Sequence, residues 1–469
     1  MPQRPSNSRA LGRTAALWAL AVVLLLTGWG VFLYRGLMPS QISAADDFQV
    51  IYSSSRAWLY GVNPYEADRL DALWLAARGP RMHRPSERGS RDLLYPPPSF
   101  VLISPVAAFD WPVAREMWAW INVGAIAASI ITTAWLAGMR GKHPSTWIFV
   151  GAAIAFAPCI TGIKMGQLSM ILTALVASGH ALRLSGRPMA GGVLLGMAAV
   201  LKPQIGLVFL AYEIFRWRWN VAGPALAVAV IVAILGIVRL EANGVPWVES
   251  LSSNVKEFTT GIGNGNPMPE NHLRYQMIDL RPVVHNFTAD RAMAAVVTFG
   301  VMGLMGLAAL AAWLRKLEDG RELLAMSIGA SASLLIVYHR FYDASILLLP
   351  LGWVVWSLVT REGKRFGWTR WAVLLGILPF FVPGAVFIDK MQREGHIPGG
   401  LAENLLWDTF VVHHQAWALV WLTAALVLAL LRCPDRTSPA FAWVGRPVSY
   451  THLRAHETKA NLVCRLLLE

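Results

Sequence analysis

Asp46 and Asp47 stand side by side in the stretch Ala44–Tyr65, just beyond the first apolar run. A carboxylate at a membrane surface and facing a cavity is suited to take a proton from a sugar hydroxyl. A positioned general base of this kind contributes roughly 10²–10⁴ in rate. Capping competes with catalysis for Asp46, since either carboxylate could N-cap a helix starting at Phe48. Lys202 interrupts an apolar stretch between Leu201 and Pro203. A lysine near the bilayer centre costs about 2.5–3.5 kcal/mol. It therefore either snorkels to the headgroups or holds a buried anion such as a lipid-linked phosphate. The run Tyr338–Asp343, YHRFYD, offers His339 and Arg340 as charge-assisted donors to phosphate, and arginine suits bidentate contacts. Asp343 either caps the following helix or pairs with His339, and the whole run is also compatible with an ordinary polar turn. Gln167, after Gly166, could hydrogen-bond a sugar.

The elements that must position these side chains are apolar. Hydrophobic residues make up 55% of the 469-residue chain and charged residues 15%. Runs near the ~20 residues that cross a bilayer recur along it. Such unalternated runs mean helices, because lipid leaves no partner for unpaired backbone groups. The expected class is an all-α polytopic membrane protein with about 12 transmembrane helices (10–13) and an outer-face loop containing an amphipathic helix. The net charge of +13 sits mostly in short loops, as a topology signal and an attraction to membrane lipids. No basic stripe with interleaved aromatics points to nucleic acid. Cys159, Cys433 and Cys464 are scattered, so neither a disulfide framework nor a metal site is expected. The chain has no P-loop, dinucleotide fingerprint or zinc motif, and no cofactor is expected.

Residues 1–34 read as a cytoplasmic N-terminus and first transmembrane helix. Arg4, Arg9 and Arg13 precede an uncharged run from Thr14 to Tyr34, too long for a signal-peptide core. Residues 35–98 form the outer-face loop with the acidic motif, and Gly61, Asn63 and Pro64 stop its amphipathic run. Residues 99–431 form the polytopic domain, with later spans expected near 115–137, 147–162, 168–183, 189–201, 204–215, 221–239, 291–314, 322–338, 344–360, 371–388 and 412–431. Threaded alternately, these place Arg140/Lys142, Arg183/Arg187, Arg216/Arg218, Arg315/Lys316/Arg321 and Arg361/Lys364/Arg365/Arg370 inside. The candidate site residues then share the outer side. The spans 189–201 and 204–215 are too short to cross twice, and two short helices are expected to meet at Lys202-Pro203. Residues 432–446 read as a cytoplasmic tail. Residues 447–469 lack membrane periodicity and read as non-native sequence.

In order along the chain stand Asp47-Phe48, Tyr60-Gly61-Val62-Asn63-Pro64-Tyr65, Tyr95-Pro96-Pro97 before Pro105-Val106-Ala107, Gly166-Gln167, Ala190-Gly191-Gly192, Leu195-Gly196, Leu201-Lys202-Pro203-Gln204, and His339 with Tyr342-Asp343. Together they resemble glycosyltransferase family 87 of the GT-C class, once a domain of unknown function, which includes bacterial polyprenyl-phosphate-mannose-dependent α-1,2-mannosyltransferases. The resemblance covers roughly residues 15–360. It implies an inverting transferase that moves a hexose, mannose by analogy, from a polyprenyl-phosphate sugar to a glycolipid or glycan acceptor on the outer face of a bacterial inner membrane. Asp47 would then be the general base, with Asp46 as the other choice. By the resemblance Lys202 and His339 would contact the donor phosphate; Arg340 joins them by its charge, and Gln167, Asp343, Tyr342 and Tyr65 are the further candidates for binding substrate. A lipid-linked donor acts as co-substrate, without a required metal. The alternative is a secondary transporter or lipid flippase using the same Lys and Asp as coupling residues. Such folds often carry internal repeats, and the two halves of this chain show no convincing match.

Overall fold

A computed structural model describes residues 7–38, 45–81, 84–88, 92–314 and 321–432. Arg4, Arg315, Lys316, Cys433, Cys464, the expected tail beyond Arg432 and the segment 447–469 lie outside the described residues. Within them every regular element is helical.

The chain begins with α1 (Asn7–Val31), prolonged by a π-helical turn at Phe32–Leu37. The next helices are α2 (Asp46–Leu59), α3 (Ala67–Ala76), α4 (Pro97–Ala107) and the long α5 (Trp111–Leu136). A dense run follows: α6 (Pro144–Ile154), α7 (Ala157–Met165), α8 (Ser169–Leu184), α9 (Pro188–Leu201), α10 (Pro203–Phe215) and α11 (Trp219–Ala242). The last third holds α12 (Trp247–Thr259), α13 (Arg291–Trp313), α14 (Glu322–Ile336), α15 (Leu348–Val359, entered through a 3₁₀ segment Phe341–Leu347), α16 (Thr369–Ile377), α17 (Gly384–Arg393) and α18 (His414–Arg432).

Among the described residues six helices are long and apolar enough to cross a membrane, or up to eight if two bent pairs each count as one span. The expected span 147–162 is one bent pair, with α6 and α7 at 44°. Pro158 lacks the N–H that would continue α6, and its ring opposes the carbonyl four residues back. The expected span 371–388 breaks likewise at Val382-Pro383, with a 46° bend. The stretches expected at 168–183, 189–201, 204–215 and 322–338 are apolar helices shorter than 18 residues. Lipid-facing surfaces are plain on α11, where Val230, Ile231, Ile234 and Val238 are exposed, and on α13, where Val296, Phe299, Leu304 and Leu307 are. This is a membrane protein.

Glycines bring the short helices close. A Cβ at Gly191 would overlap the Gly179 carbonyl of α8, and Cβ atoms at Gly192 and Gly196 would overlap the Val221 and Ala225 carbonyls of α11. Small residues at these crossings let backbones touch, which is how helices associate in lipid without a hydrophobic driving force between them. The short α9 is thereby clamped between α8 and α11, and its last residue delivers Lys202.

Helix α2 is the helix of the stretch where an amphipathic helix was expected, and it is enclosed on every side. Its residues Phe48 to Trp58 are all buried. Two of the polar ones bond to backbone: Arg56 donates to the carbonyls of Ala107 and Phe109 at 2.9 and 3.0 Å, and Ser54 to that of Pro64 at 3.0 Å. Trp58 donates to the Gly236 carbonyl of α11 at 2.9 Å. A second hydrophobic core forms around α2 and draws in Leu168 and Leu201, so their neighbours Gln167 and Lys202 are carried against it.

At the far ends of α8 and α10, and at the start of α14, lies a buried ionic network. Arg183 pairs with Glu322 at 2.9 Å and with Glu213 at 3.3 Å. Arg218 contacts both carboxylates, His180 lies 3.1 Å from Glu213, and the Tyr212 hydroxyl donates to Glu322 at 2.5 Å. Arg183 and Arg218, from two basic loops expected on one side of the membrane, therefore meet the start of α14 at one end of the bundle. Glu322→Gln leaves two buried guanidinium groups undercompensated. A loss of about 3–5 kcal/mol is expected, read as a lowered midpoint of thermal unfolding in detergent.

Candidate active site

The other ends of the same helices bound a cavity of about 360 Å³, within the range of ligand sites. Its first wall is the first turn of α2, with Asp46, Asp47 and Val50. The helix begins at Asp46, and Ala45, in the left-handed region at φ 46°, takes the N-cap position. Neither aspartate occupies the cap expected before Phe48. Both carboxylates instead meet the positive end of the helix dipole from within the first turn.

Gln167 reaches Asp47 from the turn between α7 and α8, and its Nε2 donates to Asp47 Oδ2 at 2.5 Å. The turn is held from below. Gly166 has φ +70°, and a Cβ there would come 2.7 Å from the Cβ of Phe48. The Gly166 carbonyl accepts from Trp118 Nε1 at 2.7 Å, and the Trp118 ring stacks on Phe48 with centroids 4.5 Å apart. A Gly-Gln pair that could have been any turn is thus locked onto the helix bearing the acidic pair.

The second wall is Lys202, at the break between α9 and α10. Only 7% exposed, it does not snorkel. Its Nζ pairs with Asp343 Oδ1, donates to Ser169 Oγ at 3.1 Å, and lies 5.5 Å from the centre of the Tyr342 ring. Ser169 Oγ in turn donates to Asp343 Oδ1 at 2.5 Å, and His339 Nδ1 sits 3.0 Å from Asp343 Oδ2. Lys202, Tyr342 and Asp343 line the cavity, whereas His339 is fully buried behind Asp343 and does not.

Arg340 and Tyr338 form the third wall, with the Arg340 guanidinium donating to the Tyr338 hydroxyl. Burial works against the Arg340 charge, but Tyr338, Tyr342 and Asp47 outweigh it and hold its pKa above the usual arginine value. Burial, opposed by Arg340, pushes the Tyr338 phenol up to about 12. Burial, with Asp47 and Asp343 adding to it, also raises that of Tyr95. Both phenols remain protonated donors at neutral pH.

The loop after α12 closes over the site. Phe258 meets the Tyr338 ring edge-on at 5.0 Å, and Asn264 Nδ2 donates to Asp92 Oδ1 at 3.1 Å. Further on, the Ile278 amide donates to the His339 carbonyl at 3.0 Å, and the Arg281 guanidinium donates to both carboxylate oxygens of Asp279. Tyr65 lies behind the wall, 1% exposed, with its hydroxyl donating to the Tyr95 carbonyl at 2.9 Å. Of the predicted set, the cavity therefore gathers Asp46, Asp47, Gln167, Lys202, Arg340, Tyr342 and Asp343, and leaves His339 and Tyr65 in support.

Tyr95, Tyr338, Ser169, Asp92, Asn264 and Gln204 were not singled out for roles. Tyr95 stands beside a proline run and Asn264 in the Gly/Asn-rich stretch, so each carried a faint signal. Ser169 and Asp92 carried none. Three helices, α2, α8 and α10, start at the cavity, and helix N-termini attract anions. No group of three His, Cys, Asp or Glu side chains suited to a metal ion occurs among the described residues.

Residues 93–337, more than half of the chain, match the family model of glycosyltransferase family 87. No curated protein and no solved structure matches. Tyr95, Gln167, Ser169, Lys202 and Asn264 lie inside the matched range, whereas the run Tyr338–Asp343 begins directly after it and Asp46 and Asp47 lie well before it. Gly166→Ala is expected to destabilise by about 1–2 kcal/mol through its left-handed backbone alone, and further through the clash with Phe48. Gly186→Ala, with φ +80° but open space around it, isolates the backbone cost. Thermal unfolding of the two variants should show the larger loss at Gly166.

Proposed function

The chain belongs to glycosyltransferase family 87, and from that membership we propose how this membrane glycosyltransferase works. The donor is a polyprenyl-phosphate hexose, mannose by family analogy. The acceptor is a lipid-linked or glycan hydroxyl. Asp47 takes the proton from that hydroxyl, its oxygen attacks the anomeric carbon from the face opposite the phosphate, and the carbon–oxygen bond to phosphate breaks with inversion. The electron pair leaves on the polyprenyl phosphate, where negative charge develops and fixed cations are most effective.

Arg340 and Lys202 receive that charge. A lysine ammonium carries three donors; Asp343 and Ser169 engage two of those on Lys202, leaving the third for the leaving phosphate. The dipoles of α8 and α10 add to the field. His339 and Asp343 act through Lys202 by holding it in place. No cofactor beyond the lipid-linked donor enters the scheme. The observation that carries the reading is that Asp47 and both cations line one cavity. The basic loops gathered at the opposite end of the bundle support an N-terminus inside and a catalytic cavity on the outer face of a bacterial inner membrane, in a bundle of about twelve crossings and re-entrant helices.

The test is transfer of radiolabelled mannose from polyprenyl-phosphate-mannose to membrane glycolipids by the purified protein. Asp47→Asn should lose roughly 10²–10⁴ in rate with an unchanged melting temperature. Rates retained in that variant would shift the base to Asp46. Lys202→Met should cost more than His339→Gln, because the histidine reaches the phosphate only through Asp343. Equal losses would place His339 on the donor itself.

A further inference from the structure

A general base works only within hydrogen-bond reach of the proton it takes and in a steady direction. The carboxylate of an aspartate rotates broadly about its last bond unless a neighbour holds it. Gln167 is such a neighbour for Asp47: its Nε2 donates to Asp47 Oδ2 at 2.5 Å, which sets the plane of the carboxylate.

A glutamine with that one bond would be a poor anchor. Its chain is long, and a flipped amide would turn an oxygen rather than an N–H toward the carboxylate. Contacts on either side of Gln167 remove this freedom. Its backbone is fixed by the Gly166 turn, which packs on Phe48 and accepts from Trp118. The amide itself is also hydrogen-bonded to the Tyr95 hydroxyl. Gln167 is thereby buried between two partners, and both it and Tyr95 line the cavity.

Tyr95 is held in turn. Its carbonyl accepts from the Tyr65 hydroxyl at 2.9 Å. Asn254 of α12 donates through Nδ2 to the carbonyls of Tyr65 and Leu93 at 2.9 and 3.2 Å. The segment before α4, the turn between α7 and α8, and the first turn of α2 are therefore joined in the order Tyr95, Gln167, Asp47. A reacting group held by packed and hydrogen-bonded neighbours keeps its productive geometry.

Resting on the transferase reading above, we propose that Gln167 and Tyr95 are positioning residues for the base and not ligands of the sugar: Gln167 aims the Asp47 carboxylate, and Tyr95 aims Gln167. A hydrogen bond donated to a carboxylate favours its ionised form, so the same contact keeps Asp47 ready to accept a proton.

The test follows transfer of radiolabelled mannose from polyprenyl-phosphate-mannose in single turnovers across a pH series. It compares the unaltered protein with Gln167→Leu, Gln167→Glu and Tyr95→Phe, and records melting temperatures. Gln167→Leu should slow the step about 10²-fold with the half-saturating acceptor concentration unchanged. Its acidic limb should move to higher pH, because losing the donated bond raises the pKa of the carboxylate. The charged groups that share the cavity with Asp47, namely Asp46, Asp92, Lys202, Arg340 and Asp343, are unaltered in this variant. Gln167→Glu keeps the shape but sets a second carboxylate against Asp47, so its limb should move further the same way. It also stands in where the leucine variant does not fold. Tyr95→Phe should slow the step about three- to tenfold, with a smaller move of the limb in that direction. A limb unmoved in both Gln167 variants would overturn the proposal. So would a loss seen only as a higher acceptor requirement, which would make Gln167 a sugar ligand. Asp47→Asn separates this outcome from failure of the reading beneath it. Full activity there removes the base and the proposal with it, whereas a large loss there beside an unmoved limb overturns the positioning role alone.

Discussion

The ion pair between Lys202 and Asp343 is the contact on which the cavity depends. A lone ammonium at this depth would have to reach water or lose its proton, and a lone carboxylate would face the same penalty. Together, with Ser169 and His339 taking up further hydrogen-bonding capacity, they are stable where either alone is not. The pair joins three places far apart in the chain: the break between α9 and α10, the start of α8, and the 3₁₀ segment at Phe341–Leu347. Removing either partner strands the other, so the pair constrains backbone as well as charge.

Burial of α2 is the second constraint. A helix carrying Ser53, Ser54, Ser55 and Arg56 would be expected to face water, yet it passes beneath α4 and α11 with those residues enclosed. Its carboxylate end is thereby held at the cavity while its other end is capped by Arg239 of α11, which donates to the carbonyls of Trp58 and Leu59. The molecule is accordingly polar at both ends and apolar between. One end holds the cavity; the other gathers Glu213, Glu322, Arg183 and Arg218 into a buried network.

Much of the site was legible in residue types. Lys202 stood out because a cation in an apolar run needs a reason, and Asp47 because two carboxylates beside a membrane span need one. Arg340 stood out beside His339 for the same kind of reason. The roles of the neutral residues were not legible. Gln167 binds Asp47 only because Gly166, at a positive φ, folds its turn onto Phe48. Asp92 and Asn264 meet only because the segment before α4 and the loop after α12 close over the same space. His339, read as a phosphate ligand, sits behind Asp343 at 3.0 Å from its carboxylate, a position its residue type could not foretell.

Composition and the length of the apolar runs by themselves determined that this is a helical membrane protein, since lipid offers the backbone no alternative. Proline likewise set the break at Lys202-Pro203 from its immediate neighbours, whereas the bends inside 147–162 and 371–388 emerged only in the structure. Which helices cross as single spans and which remain short was decided by tertiary packing: glycine-lined crossings allow α9 to stop midway and present Lys202. Which polar groups converge was likewise a tertiary outcome. A hydrogen bond between residues more than a hundred positions apart, such as Gln167 to Asp47, leaves no local pattern in the chain, because its energy exists only once the intervening helices have packed.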